Sequence, residues 1–107
     1  MTTFDKREQA FEAEFVHDEE LKFKAEARRN KMLGLWAAEK LGLSGDAAAD
    51  YSRAVVTAEI DAASDKAVVS KIMSDLAAKG ISLTEPDLRA RMNELLAAAV
   101  AQIKAGV

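Results

Sequence analysis

The stretch that decides the fold is TEPDLRARMNELLAAAVAQI, residues 84–103. Thr84 is a typical helix N-cap, Pro86 fits a first helical turn, and Asp87 stands three residues after the cap. Apolar residues then recur on one helical face, at Leu88, Met92, Leu95, Leu96, Ala99 and Ile103. This spacing predicts an amphipathic helix that packs on a core.

Two more helices are predicted upstream of this stretch. Ser64 is a cap for a helix whose apolar stripe consists of Val68, Val69, Ile72, Met73 and Leu76. Gly80 followed by the apolar Ile81 predicts a Schellman end for that helix. Before it, a helix from about Asp46 to Asp61 is expected to turn an inner face made of Ala47, Tyr51, Ala54, Val55 and Ala58 toward the core.

The first helical stretch ends at the turn LGLSGD, residues 41–46, where Gly42 and Gly45 suit positive φ. Its inner face begins at Ala25 and continues through Met32, Leu33, Trp36 and Ala37. No segment alternates apolar and polar residues as a strand would. The predicted fold is therefore all-α, a single-domain four-helix bundle over residues 21–107, preceded by a mobile or partly helical N-terminal segment, residues 1–20.

Composition narrows the possible functions. The chain has 107 residues, 22 alanines, one proline, no cysteine and a net charge of −3, which favours helices and excludes disulfides and thiolate metal sites. No apolar run approaches the roughly 20 residues that span a bilayer. The charged start lacks a secretory h-region, so it is not a secretory signal, and the absence of cysteine allows a reducing, cytosolic setting. The acidic balance argues against nucleic-acid binding.

The N-terminal segment carries a phenylalanine stripe, defined as Phe4, Phe11 and Phe15 in the stretch FDKREQAFEAEF, residues 4–15. A helical rotation of 100° per residue places these rings within about 40° of one another. Fifteen of the first 31 residues are charged, so the segment has little apolar surface with which to fold alone. A narrow apolar line on such a segment suits insertion into a groove of a partner.

Residues that could carry catalysis are few. The lone His17 and Glu14 have the Glu-x-x-His spacing of di-iron bundles, but those sites need two such motifs and further glutamates. Neither a metal site nor a cofactor is expected, and the basic run of residues 28–31 is interpreted as a solvated or protein-contacting helix face. Trp36 is interpreted as a core residue because it stands among apolar neighbours at helical spacing.

The stretch from Phe4 to Gly45 resembles the zeta-type inhibitor subunit of alphaproteobacterial F-type ATP synthases. The resemblance rests on the blocks AFEAEF, HDEEL, FKAEARRNK and LGLWAAEKLGL. It implies a non-catalytic inhibitor whose N-terminal segment enters the catalytic head of the synthase, contacts its alpha, beta and gamma subunits, and blocks rotation in the hydrolysis direction. The protein would then be cytoplasmic, held at the inner membrane only through the synthase, without inserting into the membrane itself.

The resemblance places the partner-binding residues on the N-terminal segment, at Phe4, Asp5, Lys6, Arg7, Glu8, Phe11 and Phe15. Two other functions remain open at this point. The same stripe suits a helical adaptor or oligomerisation protein with another partner, and the scattered charged residues leave room for a small enzyme or nucleotide sensor.

Overall fold

Four helices make up most of residues 19–106, the part of the chain that this computed structural model describes. They are α1 (Glu19–Lys40), α2 (Gly45–Ala62), α3 (Asp65–Ala78) and α4 (Glu85–Lys104). Helix α1 packs mainly on α2 and α4, and α3 packs mainly on α2. The prediction of an all-α, four-helix fold is confirmed over this range, whereas residues 1–18 of the predicted mobile or partly helical segment lie outside it.

The helix ends follow the predicted capping residues. The Thr84 hydroxyl accepts a hydrogen bond from the Asp87 backbone N–H at 3.2 Å, and the Ser64 hydroxyl accepts one from the Lys66 N–H at 3.1 Å. After α3, the Ile81 N–H donates to the Leu76 carbonyl at 2.9 Å, as in a Schellman motif. These short-range bonds satisfy terminal backbone groups at both ends of α3 and at the start of α4.

The core draws side chains from all four helices. Its buried members are Leu33, Ala37, Val55, Val68, Val69, Ile72, Leu76, Leu88 and Met92. Each large aliphatic side chain buried in this way contributes about 1.5–3 kcal/mol. Trp36 is partly buried against this core, as its helical spacing predicts.

The inner face of α2 differs from the prediction. Ala47 and Ala54, expected to face the core, are exposed, whereas Ser52 is buried beside Val55. Ser52 is accepted there because its hydroxyl donates to the Lys31 carbonyl of α1 at 2.8 Å, which satisfies the buried polar group. The face of α2 that packs against α1 therefore includes a small polar residue, which apolar periodicity does not predict.

Candidate partner-binding surface

The partner-binding residues predicted from the sequence all precede α1. Phe4, Asp5, Lys6, Arg7, Glu8, Phe11 and Phe15 lie outside the described residues, as does His17. Their role, and the boundary at residue 20 between segment and bundle, stay predictions. The structure does describe the surface near Glu19, where α1 begins.

An open cleft of about 280 Å³ lies between α1 and α2, close to the start of α1. Its lining consists of Phe23, Glu26, Ala27 and Asn30 from α1, and Val56, Glu59, Ile60 and Ala63 from α2 and its C-cap. Both helices supply residues at i, i+3, i+4 and i+7, the spacing of a single helical face. We call this feature the α1–α2 cleft.

The rim of the α1–α2 cleft is apolar and open to solvent. Phe23 is 59% exposed and Ile60 is 57% exposed. In the described part of the chain, only one other large apolar side chain, Leu35, is classed as exposed, at 42%. The concentration of two such side chains at one cleft marks a surface suited to protein contact.

The floor of the cleft is polar and paired. The Arg29 guanidinium donates to the Glu59 carboxylate at 3.1 Å and to the Asn30 side-chain oxygen, also at 3.1 Å. The Asn30 amide donates to the same Glu59 oxygen. Arg29 and Glu59 have side chains only 8% and 16% exposed. These contacts hold a carboxylate in place beneath an apolar rim.

This pairing corrects, at Arg29 and Asn30, the interpretation of residues 28–31 as a solvated or protein-contacting helix face. Arg29 and Asn30 are buried, at 6% and 1% exposure, while Lys31 is exposed. The reason is long-range, because Glu59 on α2 is 30 residues from Arg29 and supplies its countercharge. The sequence contains only part of this information. A polar residue at an inward helical position requires a partner, but the sequence does not identify that partner.

Burial raises the pKa of the Glu59 carboxyl above its ordinary value. The Arg29 guanidinium opposes this shift by lowering the pKa, whereas Glu26 adds to it through its charge and a side-chain hydrogen bond. The net direction is upward because one guanidinium does not offset both the lost hydration and the second carboxylate. The cleft lining contains two carboxyl groups, Glu26 and Glu59, and Arg29 pairs with the second of them.

Other polar clusters in the described residues have structural roles. The Tyr51 hydroxyl donates to the Asp75 carboxylate at 2.8 Å, and Lys71 also donates to Asp75 at 3.2 Å. These bonds join α2 to α3.

Residues 19–106 contain no group of acidic or histidine side chains arranged to hold a metal. Nor does any helix in this range have the length and apolar character of a membrane span.

One comparison with known proteins identifies a family for this chain. The family described as ATPase inhibitor subunit zeta matches residues 1–102 of this chain. A protein solved by solution NMR is 44% identical, with 81% of this chain and 99% of that chain covered and a TM-score of 0.69. Among curated proteins, none matches significantly. The family match includes both the N-terminal segment and nearly all of the helical bundle.

Proposed function

The chain belongs to the ATPase inhibitor subunit zeta family, and on that premise we propose that its N-terminal segment inhibits ATP hydrolysis by an F-type ATP synthase. The segment enters the catalytic head, contacts the alpha, beta and gamma subunits, and blocks rotation in the hydrolysis direction. The observation that carries this proposal is the family match over residues 1–102, because it includes the whole phenylalanine stripe.

Burial of the phenylalanine stripe would offset the cost of ordering the segment, before the other costs of association. Ordering a flexible segment on binding costs about 2–5 kcal/mol. Burial of a phenylalanine ring contributes about 1.5–3 kcal/mol, so the three rings of the stripe offset that cost. The charged residues between them, including Lys6 and Arg7, set orientation and association rate more than affinity.

Within this proposal the helical bundle supports the segment. Helix α1 begins at Glu19, at the end of the predicted segment, and continues into the core at Leu33 and Ala37. A helix packed into the core in this way would give the segment a fixed point of attachment. The protein would act on the cytoplasmic side, where it meets the membrane only through the synthase.

The test is ATP hydrolysis by the purified synthase, or its soluble catalytic head, with increasing amounts of the full-length protein. We expect hydrolysis to fall to a saturating minimum. A variant lacking residues 1–19 should lose inhibition while it keeps its helical circular dichroism. Unchanged hydrolysis at a large excess, together with no binding to the head, would exclude this function.

The competing function is that of a helical adaptor or self-associating protein. The exposed rim formed by Phe23 and Ile60 is the observation that favours it. Sedimentation of the protein alone separates the two functions, because a stable dimer at micromolar concentration would support the adaptor. A monomer that binds the catalytic head would support the inhibitor.

A further inference from the structure

We propose that the α1–α2 cleft is a second contact surface for the ATP synthase, and that it receives a basic side chain carried on an apolar segment of that partner. This inference rests on the proposed function and assigns a role to the bundle itself. The N-terminal segment would block rotation, and the cleft would strengthen the attachment beside it.

The position of the cleft is the first argument. Phe23 lies four residues after Glu19, which corresponds to about 6 Å along a helix axis. A partner surface that extends as far as Glu19 would therefore lie close to the rim at Phe23. Ile60 faces the same cleft from α2, so one approaching segment contacts both exposed side chains.

The shape of the cleft is the second argument. Two helices present matched i, i+3, i+4 and i+7 positions, with Ala27 and Ala63 as small residues between the larger ones. Small residues leave room for an incoming side chain, while Phe23 and Ile60 flank it. This arrangement is typical of grooves that accept the apolar face of a partner segment.

The charge of the cleft decides what the partner must carry. Glu26 and Glu59 are both in the lining, and Arg29 supplies the cation that pairs with Glu59. A purely apolar partner would remove water from these carboxylates without compensation, which is costly. A lysine or arginine placed between the rim residues supplies the missing charge through charge-assisted hydrogen bonds.

The same charge disfavours other occupants. A second copy of the chain, related by a two-fold axis, would bring Glu26 and Glu59 of one cleft toward their counterparts in the other. The chain's own residues 1–18 contain five acidic and two basic residues, so they are poorly matched to an acidic cleft. A basic, apolar segment of the synthase meets the requirement that these two do not.

The experiment measures inhibition of ATP hydrolysis and binding to the catalytic head by five full-length variants, three in the cleft and two controls outside it. Phe23→Ser and Ile60→Ser alter the rim, and Glu26→Gln removes a carboxylate from the lining. Leu35→Ser is the matched control, because Leu35 is an exposed apolar residue on α1 that does not line the cleft. Thermal midpoints verify that each variant is folded.

We expect Phe23→Ser and Ile60→Ser to raise the half-inhibitory concentration roughly tenfold each, the equivalent of losing one buried apolar contact. Glu26→Gln should raise it several-fold and reduce the salt dependence of binding, whereas Glu39→Gln, an exposed acid outside the cleft, should not. Leu35→Ser should stay close to the wild type.

The sign of the change separates the outcomes. Weaker inhibition by the rim variants, but not by the control, supports the proposal. Unchanged inhibition overturns it while leaving the proposed function in place, and stronger inhibition overturns it in favour of self-docking by residues 1–18. Dimers of the wild type that Ile60→Ser dissociates would also overturn it. Failure of the wild type to bind the head excludes the proposed function and this inference with it.

Discussion

Gly34 of α1 lies so close to Ser52 of α2 that a Cβ atom at position 34 would stand 2.6 Å from the Ser52 Cα. Gly34 lies well inside α1, where no turn calls for a glycine. The residue must be small here because the two helices approach each other so closely. The Ser52 hydroxyl donates to the Lys31 carbonyl at 2.8 Å, and this hydrogen bond links α2 to α1 at the same contact. This contact sets the spacing of α1 and α2, and therefore the width of the cleft between them.

Gly34→Ala should destabilise the protein. The added methyl group meets backbone, which cannot rotate away, and overpacking of this kind costs about 1–3 kcal/mol. The better helix propensity of alanine offsets about 1 kcal/mol of that cost. Chemical denaturation should therefore show a lower free energy of unfolding. Leu35→Ala, at the next and more exposed position, is the control, and an equal or higher midpoint for Gly34→Ala would contradict the close contact.

Breaking the ion pair between Arg29 and Glu59 should have unequal effects from its two sides. Glu59→Leu leaves a buried guanidinium, which does not deprotonate, and should cost about 3 kcal/mol. Arg29→Met should cost less, because the remaining glutamate can be neutralised by a proton. The double variant should lose less stability than the sum of the two single losses. Urea unfolding of the four proteins gives this comparison, and strict additivity would show that the pair is not coupled.

The raised pKa of Glu59 predicts a pH-dependent contribution to stability. Between the ordinary glutamate pKa of about 4.3 and the higher value in the fold, the folded protein binds the proton more readily than the unfolded chain. The contribution is therefore present at low pH and is lost as pH rises through the folded pKa. The unfolding free energy of the wild type, minus that of Glu59→Gln, should fall across this interval.

Glu26→Gln tests the cause of that pH dependence. Removing the neighbouring carboxylate lowers the pKa of Glu59. The pH-dependent loss of stability that Glu59 causes should therefore move to lower pH and become smaller. A difference between wild type and Glu59→Gln that stays constant with pH, or rises, would contradict the direction given for the shift.

Phe11 and Phe15 should matter for binding and not for folding. Replacing both with alanine should leave the thermal midpoint of the free protein nearly unchanged and weaken inhibition of ATP hydrolysis, if the stripe is buried only in the partner. Ile72→Ala is the contrasting variant, because Ile72 is fully buried and its truncation should cost about 2–5 kcal/mol. A large fall in the midpoint of the double alanine variant would place the stripe in the bundle's own core.

The sequence by itself determined the features whose partners lie within one or two helical turns. The caps at Ser64 and Thr84 and the Schellman end at Gly80 all form between residues at most five positions apart. The apolar stripes of α3 and α4 likewise follow from a fixed helical period. The blocks of sequence between Phe4 and Gly45 also indicated the family.

Only the tertiary structure decided the features that depend on how α1 crosses α2. Apolar periodicity predicted Ala54 on the inner face, and local charge pairing predicted Arg29 and Asn30 on a solvated or protein-contacting face. The structure shows Ala54 exposed and Arg29 and Asn30 buried. A helix turns toward its neighbour the residues that fit the contact, and at Ser52 that fit depends on a glycine in another helix. Arg29 is buried because Glu59, distant in sequence, meets it there. Local patterns hold no information about which residues of two helices meet, so the acidic, apolar-rimmed cleft was visible only in three dimensions.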